Sequence, residues 1–363
     1  WDGGRVRASH NAFGGRVTVV DNPTEALVAH STHVTGTMIA SANPATIKGM
    51  APQASARTFN WTDDESEALS EIQLGMLVSN HSYGVPISGS TGPLPSWLIG
   101  AYISDSYAWD EIAYLSPYYL QVASAGNDGD NNANTDPIAT GFDKLVGNKV
   151  AKNNLVVANA QDVSTNSDGT ISGSININSS SSQGPTDDFR IKPDITGNGT
   201  GLTSTNSTSN TSTTVMTGTS MSSPNVAGSL ILLQQHHNNL YGSFMRSATL
   251  KGLACHTADD GGDIGPDPIF GWGLLNTKKA AETITNNGLS SWVSEENLNQ
   301  GQTFTMNVNS NGSTPLIASI TWTDVPGTTN TSGVPNQNTA ALINDLDIRI
   351  TKNSTTYYPW KLT

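Results

Sequence analysis

The strongest constraint on the fold of this chain is a predicted helix at Ser220–His237 that carries apolar side chains on nearly all of its sides. Its apolar positions include Val226, Ala227, Leu230, Leu232 and Leu233. A surface helix needs a polar face, so a helix without one is expected at the centre of a domain, covered by other elements. The surrounding sequence must therefore supply layers that enclose it.

Residues 1–285 supply those layers, because short apolar strands alternate with helical segments in the manner of an α/β domain. The predicted strands are Arg16–Val20, Val78–Ser82, Leu120–Ser124 and Asn154–Ala158. The predicted helices are His30–Ser41, Glu65–Gly75, Ser220–His237, Phe244–Ala254 and Thr277–Thr285. We expect a three-layer α/β domain with a mostly parallel central sheet.

The pattern changes after Asn286-Asn287-Gly288, where turn residues begin to separate β-rich segments. These segments are Gln302–Asn309, Leu316–Thr323 and Ala341–Thr351, and they are typical of a small antiparallel β-sandwich. The sequence stops at Thr363 without a closing strand. We therefore predict a second domain over residues 286–363 that is incomplete in this sequence.

Charge and composition disfavour several classes of partner. The 363 residues carry a formal net charge of −13 at pH 7 and a pI of about 4.7. Nucleic acids and anionic membrane surfaces need basic patches, so neither is expected as a partner. No stretch approaches ~18 consecutive apolar residues, so no membrane span is expected. The single cysteine, Cys255, excludes an intrachain disulfide and is expected to be a buried, inert thiol.

Ser220 opens the central helix, directly after Gly218-Thr219 and with Pro224 in the first turn. Proline is tolerated there because the first N–H groups of a helix have no partner within it. Those N–H groups and the positive field of the helix N-terminus favour a negative charge beside Ser220. A lone serine here would be an ordinary helix cap, but the whole stretch Gly218–Pro224 favours a nucleophile.

Two histidines lie one turn apart at another predicted helix start, in the segment His30-Ser31-Thr32-His33. A zinc pair would normally show the pattern H-E-x-x-H, so a general base fits this segment better than a metal site. An imidazole that takes a proton is oriented by a carboxylate. Asp2, in Asp2-Gly3-Gly4, and Asp21, at the end of a predicted strand, are both candidates for that carboxylate.

These segments resemble the motifs of the subtilisin-like serine peptidases, the subtilase family or peptidase family S8. Gly218–Pro224 is similar to the motif G-T-S-M-[AS]-[ST]-P, and His30–Thr37 to H-G-T-H-V-[AT]-G-T, with Ser31 in place of the usual glycine. The chain order Asp, His, Ser is that of subtilisin. Trp322-Thr323-Asp324 and Asn344–Asp347 resemble the C-terminal β-domain of large bacterial members.

The resemblance implies a catalytic triad in which Ser220 is the nucleophile, His30 is the general base and Asp2 orients His30. Asp21 is the alternative acid, but eight residues separate it from His30, whereas 27 residues separate Asp2 from His30, an interval normal for the family. Asn127, at the end of Ala123-Ser124-Ala125-Gly126-Asn127, is the implied oxyanion donor.

The resemblance also implies a cleft in which an extended peptide binds by β-strand addition. The S1 pocket of this cleft holds the side chain that precedes the scissile bond. Its expected walls are Ser82, Tyr83 and Gly84 on one side and Ser124, Ala125 and Gly126 on the other.

The chemistry needs no cofactor, but subtilases often bind structural Ca²⁺ through oxygen-rich loops. The acidic turns Asp259–Asp263 and Asn344–Asp347 are candidates, although neither is a complete calcium motif. The metal ligands therefore stay unassigned.

The function that the resemblance implies is that of a secreted, monomeric bacterial serine endopeptidase whose partners are protein and peptide substrates. The start at Trp1 suggests a processed chain whose targeting segments have been removed. Two alternatives stay open. Ser31 and the lack of a strand before Asp2 are compatible with a catalytically inactive binding or adhesion protein of the same fold, and the same triad could serve an esterase.

Overall fold

The structure is a computed structural model that describes residues 1–21, 23–41 and 46–360. Its helices are α1 (Ala29–Ile39), α2 (Asp64–Gln73), α3 (Ser104–Leu115), α4 (Thr219–Tyr241), α5 (Ser247–Thr257) and α6 (Thr277–Thr285). Its strands are β1 (Val17–Val19), β2 (Ala56–Thr58), β3 (Val78–His81), β4 (Ser88–Gly89), β5 (Gly92–Pro93), β6 (Leu120–Ser124), β7 (Leu155–Ala160), β8 (Ser164–Thr165), β9 (Ile171–Ser172), β10 (Ile195–Asn198), β11 (Leu202–Thr205), β12 (Thr213–Met216), β13 (Ile350–Lys352) and β14 (Thr355–Tyr357). Among the helices described, none has the length and apolar character needed to cross a membrane.

The central sheet consists of parallel strands in the order β10–β7–β6–β3. Every residue of β6 and β7 is buried, as expected for strands of a parallel sheet that is covered on both faces. His81 of β3 pairs with Ala123 of β6, so the segments Ser82–Gly84 and Ser124–Gly126 leave the sheet side by side. The predicted parallel sheet is confirmed.

Helix α4 packs against this sheet, as its apolar pattern predicts. Leu230 and Leu233 are buried in one core with Leu120 of β6. Helix α4 also lies close to α1, because a Cβ added at Gly228 would be 3.1 Å from the Met38 carbonyl oxygen. The helix that carries Ser220 and the helix that carries His30 are therefore packed directly on each other.

The backbone of Trp1 and Asp2 joins a second parallel pair, β1–β2, to the central sheet. The Trp1 nitrogen donates to the Asn80 carbonyl oxygen of β3 at 3.1 Å. Asp2 bonds to the segment that follows β2. Its N–H donates to the Phe59 carbonyl oxygen at 3.1 Å, and its carbonyl oxygen accepts the Trp61 N–H at 3.1 Å. These bonds hold Asp2 between the two sheets.

The predicted helices are confirmed, with differences at their ends that have local causes. Helix α5 begins at Ser247 rather than Phe244, because Gly242 ends α4 in the left-handed conformation (φ +70°) and Arg246 is still extended. The link between the two helices therefore occupies the first residues of the predicted helix.

Within residues 286–360, regular structure consists mainly of the hairpin β13–β14, a small antiparallel sheet. The predicted strands at Gln302–Asn309 and Leu316–Thr323 have no strand partner in the described chain, and an unpaired strand leaves its backbone groups without hydrogen bonds. The middle of this region instead packs on the α/β part, where Lys152 Nζ binds Asp324 Oδ2 at 2.6 Å. The β-sandwich over residues 286–363 and the domain boundary at residue 285 stay predictions.

Candidate active site

The first pair of candidate catalytic side chains consists of Asp2 and His30. His30 lies in the first turn of α1, and its Nδ1 is 2.9 Å from each carboxylate oxygen of Asp2. Burial lowers the pKa of His30, but the hydrogen bond to Asp2 and the negative charge of Asp2 outweigh burial, so this pKa is raised above its ordinary value. A carboxylate on Nδ1 leaves Nε2 as the ring nitrogen that can accept a proton.

The structure brings Asp2, rather than the alternative Asp21, to His30. The Asp21 carboxylate accepts the N–H of Asn60 at 2.9 and 3.0 Å. Asp2 Oδ1, in contrast, accepts the N–H of Gly3 at 2.7 Å, and this bond helps to fix the carboxylate that faces the imidazole. The geometry therefore favours Asp2 as the orienting acid.

His33 does not form a metal pair with His30. Its Nε2 lies 2.9 Å from the Leu202 carbonyl oxygen, and burial lowers its pKa. In the described ranges, no group of three or more His, Cys, Asp or Glu side chains is arranged to hold a metal ion. Ser31, at the family's usual glycine position, is buried and donates to the Val28 carbonyl oxygen at 3.3 Å, so its hydroxyl is directed back along the helix.

Ser220 lies in the first turn of α4 and exchanges hydrogen bonds with Ser82. Ser220 Oγ donates to the Ser82 carbonyl oxygen at 3.1 Å, and Ser82 Oγ donates to the Ser220 carbonyl oxygen at 3.0 Å. The Ser220 hydroxyl therefore bonds to Ser82 rather than to His30 here. Rotation about one Cα–Cβ bond redirects a serine hydroxyl. Catalytic hydrogen bonds often tighten only when substrate binds.

Asn127 lies beside the start of α4 with its amide oxygen held in place. Asn127 Oδ1 accepts hydrogen bonds from Thr219 N at 2.9 Å and from Thr219 Oγ1 at 3.1 Å. This arrangement keeps the N–H groups of Nδ2 for another acceptor. Gly218 keeps the space beside this amide open, since a Cβ there would lie 3.3 Å from Oδ1 and 3.4 Å from Nδ2.

Two buried residues to which the sequence analysis gave no role connect the end of β3 to the start of α4. Asn80 Nδ2 donates to Ser82 Oγ at 2.9 Å, and Ser223 Oγ donates to Asn80 Oδ1 at 2.7 Å. The run of polar residues Ser79–Ser82, in a strand predicted to belong to the central sheet, was the available signal for this network. The bonds position Ser82 against Ser220.

The two predicted walls of the substrate cleft run side by side after β3 and β6. Tyr83 turns its side chain away from the gap between the walls, because its hydroxyl donates to Asp64 Oδ2. A side chain that the sequence analysis did not single out, that of Lys149, lies between Gly84 and Gly126. No motif around Lys149 indicates this position.

A pair of buried carboxylates outside the cleft has the chemistry of a cation site. A Cβ added at Gly100 would collide with both Asp143 Oδ1 and Asp187 Oδ1. These two atoms and Asp187 Oδ2 have no hydrogen bond of ordinary geometry within the described chain, although the Gln337 N–H acts on Asp187 from nearby. Burial raises the pKa of Asp143 to about 6, and burial together with the charge of Asp143 raises the pKa of Asp187 to about 8. Carboxylate oxygens are the ligands that Ca²⁺ prefers.

The acidic turns that were predicted to bind calcium show a different environment. Asp259 accepts hydrogen bonds from Lys279 Nζ and, at 2.9 Å, from Asn276 Nδ2. In the turn Asn344–Asp347, the Asn344 N–H donates to Asp324 Oδ1 at 3.0 Å, and the two aspartates of the turn are exposed. Calcium binding at these turns stays a prediction without an assembled ligand set.

The parallel-sheet fold, the acid–imidazole pair and a serine at a helix N-terminus beside an amide donor are together characteristic of a serine peptidase. The chain belongs to the subtilase family, whose sequence profile matches residues 8–273. Family and fold together support the activity of a serine peptidase, which is a hydrolase.

Several solved structures share the fold. The prenylagaramide maturation protease PagA is 19% identical with a TM-score of 0.56 over 77% of this chain and 91% of that chain. The patellamide maturation protease PatA is 20% identical with a TM-score of 0.57 over 78% of this chain and 95% of that chain. Fervidolysin from Fervidobacterium pennivorans, described as a keratinolytic enzyme related to subtilisin, is 20% identical with a TM-score of 0.52 over 77% of this chain and 41% of that chain. At such identities the likeness is one of fold.

A curated relative, serotype-specific antigen 1 of Mannheimia haemolytica, is 35% identical over 81 residues. The matched segment is 22% of this chain and 8% of that protein. This local similarity carries no information on the function of the remaining residues.

Proposed function

We propose that this chain is an endopeptidase that hydrolyses peptide bonds through an acyl-enzyme, with Ser220 as nucleophile, His30 as general base and Asp2 as the acid that orients His30. The observation that carries the proposal is the contact of His30 Nδ1 with both oxygens of Asp2 at 2.9 Å, on a helix packed against the helix that carries Ser220. These observations support the role of His30 as the base that activates a weak nucleophile.

In the acylation step, Ser220 Oγ gives its proton to His30 Nε2 and forms a bond to the scissile carbonyl carbon. The carbonyl oxygen takes up the negative charge, and Asn127 Nδ2 and the Ser220 N–H donate hydrogen bonds to it. His30 then passes the proton to the leaving amine nitrogen as the C–N bond breaks. Water, deprotonated by His30, hydrolyses the resulting ester and regenerates the Ser220 hydroxyl.

The proposed substrates are protein segments that can become extended. Ser82–Gly84 continues β3 beyond its last ladder pair, so its backbone can add a substrate strand. We also propose that the enzyme is a monomer secreted by a bacterium. Membership of the subtilase family, in which secretion is common, supports this location.

A serine-directed fluorophosphonate probe tests the proposal. We expect labelling at Ser220, identified by peptide mass spectrometry, and hydrolysis of casein. Both should be lost in Ser220→Ala. The control is Ser174→Ala, which removes an exposed hydroxyl from a loop and should retain both activities.

Each alternative function predicts a different result. A folded sample that neither reacts with the probe nor cleaves casein would be a binding protein, and the proposal would be wrong. Labelling with rapid turnover of simple esters, but without cleavage of casein or peptides, would instead identify an esterase.

We further propose that Asp143 and Asp187 bind a structural Ca²⁺. The oxygens of the two carboxylates lie close together, and their pKa values are raised. A cation bound between the carboxylates would offset their mutual repulsion and stabilise the folded state. No step of the hydrolysis requires this ion.

A further inference from the structure

The Lys149 side chain ends between the two backbone segments that form the proposed S1 walls. Lys149 belongs to the short 3₁₀ segment Gly147–Val150, and 4% of its surface is exposed. A Cβ added at Gly84 would lie 2.7 Å from both Cε and Nζ of Lys149. A Cβ added at Gly126 would lie 3.0 Å from the same Nζ. The ammonium group therefore lies against both glycines.

Lys149 is buried without a direct partner for its ammonium group. Other buried lysines have one, and Lys144 Nζ, for example, donates to the Gly129 carbonyl oxygen. Lys152 Nζ lies 2.6 Å from Asp324 Oδ2, and Lys192 Nζ lies 2.5 Å from Asp194 Oδ2. Lys149 forms no ion pair or hydrogen bond with any residue that the structure describes. A buried ammonium group is normally paired, because removing it from water is costly. The Lys149 ammonium group is therefore suited to pair with an anionic group of a bound molecule.

The charge of Lys149 persists at neutral pH. Burial lowers its pKa to about 8, while the negative charges of Asp128 and Asp105 act in the opposite direction. Both carboxylates are committed to backbone groups, since Asp128 Oδ2 accepts the Ile87 N–H at 3.3 Å and Asp105 Oδ2 accepts the Asn148 N–H at 2.7 Å. Neither replaces a direct counter-ion.

The two glycines keep the gap open beside this cation. Gly84 and Gly126 have φ values of +155° and +110°, which L side chains rarely adopt, and a side chain at either position would meet the Lys149 ammonium group. A substrate side chain that enters between the walls therefore finds glycine backbone on both sides and a cation at its end. A carboxylate satisfies that cation, an amide does so weakly, and an ammonium is repelled.

We propose that Lys149 is the specificity-determining residue of the cleft and that it selects substrates with Glu or Asp at P1, the residue on the acyl side of the scissile bond. This inference rests on the proposed peptidase function. The net charge of −13 would repel acidic substrates at long range, so the preference must arise from the local contact.

The test uses fluorogenic peptides that differ only in the P1 residue, with Glu, Asp, Gln, Leu and Lys in that position. For the full chain we expect kcat/KM to be about 10- to 100-fold higher for Glu or Asp than for Gln, and lowest for Lys. In folded Lys149→Met the ratio of kcat/KM for the Glu peptide to that for the Gln peptide should fall to near unity. The control Lys278→Met removes the same charge from an exposed site and should keep the preference.

Lys149→Gln serves as a second variant in case the methionine variant does not fold. The inference is wrong if the full chain cleaves the Gln or Leu peptide as well as the Glu peptide, or if a folded Lys149 variant retains the acidic preference. Fluorophosphonate labelling separates the two proposals. Labelled enzyme without acidic preference overturns only the role of Lys149, whereas a folded chain without labelling or turnover overturns the peptidase function and this inference with it.

Discussion

At His30, one carboxylate decides which protonation state the imidazole prefers. Burial favours the neutral ring, whereas the hydrogen bond and charge of Asp2 favour the imidazolium, and Asp2 prevails. In the proposed mechanism, the imidazolium exists only while a tetrahedral intermediate forms or decays. Asp2 therefore stabilises the charged species that the reaction creates, and it makes the resting base active only above a raised pKa.

Replacement of Asp2 should expose both effects. We expect Asp2→Asn to lower kcat by about 10⁴-fold, as loss of the orienting acid does in other serine peptidases. The acidic limb of the profile of kcat/KM against pH should move to lower pH, because the remaining influence on His30 is burial, which lowers its pKa. A pH–rate profile of both proteins measures the shift.

Asp21→Asn is the matched control, because it makes the same change in the rival carboxylate. Its activity and acidic limb should stay close to those of the unmodified chain, since the Asp21 carboxylate binds the Asn60 N–H. The opposite result, with the large loss in Asp21→Asn, would show that Asp21 is the orienting acid.

At the scale of elements, α4 has two roles that require different kinds of residue. Its first turn carries polar residues for chemistry, and its middle carries apolar residues that pack against the sheet. Leu230 is fully buried, whereas Leu240, near the end of the same helix, is 49% exposed. The position of Ser220 therefore depends on packing that lies several turns away from it.

Truncation of these two leucines should have very different costs. We expect Leu230→Ala to lower the free energy of unfolding by about 2–5 kcal/mol, because it leaves a cavity between α4 and the sheet. Leu240→Ala should change it by about 0.5 kcal/mol or less. Denaturant unfolding in a Ser220→Ala background, which prevents self-digestion, measures both. Equal losses would contradict the central position of α4.

The helices and the parallel sheet were predictable because each carries a local signal. The apolar residues of α4 and the apolar runs of β6 and β7 repeat within a few positions, so the sequence alone indicates them. Lys149 and Asp143 carry no such signal, because what matters about each is a neighbour far away in the chain. The Gly218–Pro224 motif lies between these cases, since a long local pattern pointed to a site whose other parts are remote.

Between residues 302 and 323, in contrast, a local signal predicted strands that the structure does not form. Alternating apolar residues specify a strand only when another strand pairs with it, and pairing is a property of the whole fold. The segment that follows these residues instead packs on the α/β part through the buried ion pair of Lys152 and Asp324. No periodic pattern in the sequence predicts this pair.

At the scale of the whole molecule, the proposed calcium site at Asp143 and Asp187 links the stability of the fold to the calcium concentration. We expect millimolar Ca²⁺ to raise the Tm by several degrees relative to EDTA, because a ligand that binds the folded state stabilises it by mass action. In Asp187→Asn this shift should vanish. Calorimetry in the Ser220→Ala background measures the effect without autolysis.

Asp260→Asn, in one of the acidic turns, is the control and should retain the full calcium shift. Two results would count against the site. If calcium has no effect and Asp187→Asn itself raises the Tm, the two carboxylates share a proton instead of a cation. If Asp187→Asn keeps the calcium shift, the ion binds elsewhere.

The backbone hydrogen bonds of Trp1 and Asp2 place the proposed acid at the junction of two sheets. The proposed base and nucleophile lie on the packed helices α1 and α4, and the proposed oxyanion donor follows β6, whereas the proposed acid is held where two sheets meet. Slight parting of these sheets would remove the acid and leave the other groups in place. A molecule whose sheets have parted would still acylate slowly, because the proposed nucleophile and base remain in place. On warming, we therefore expect the catalytic rate to fall before the core unfolds.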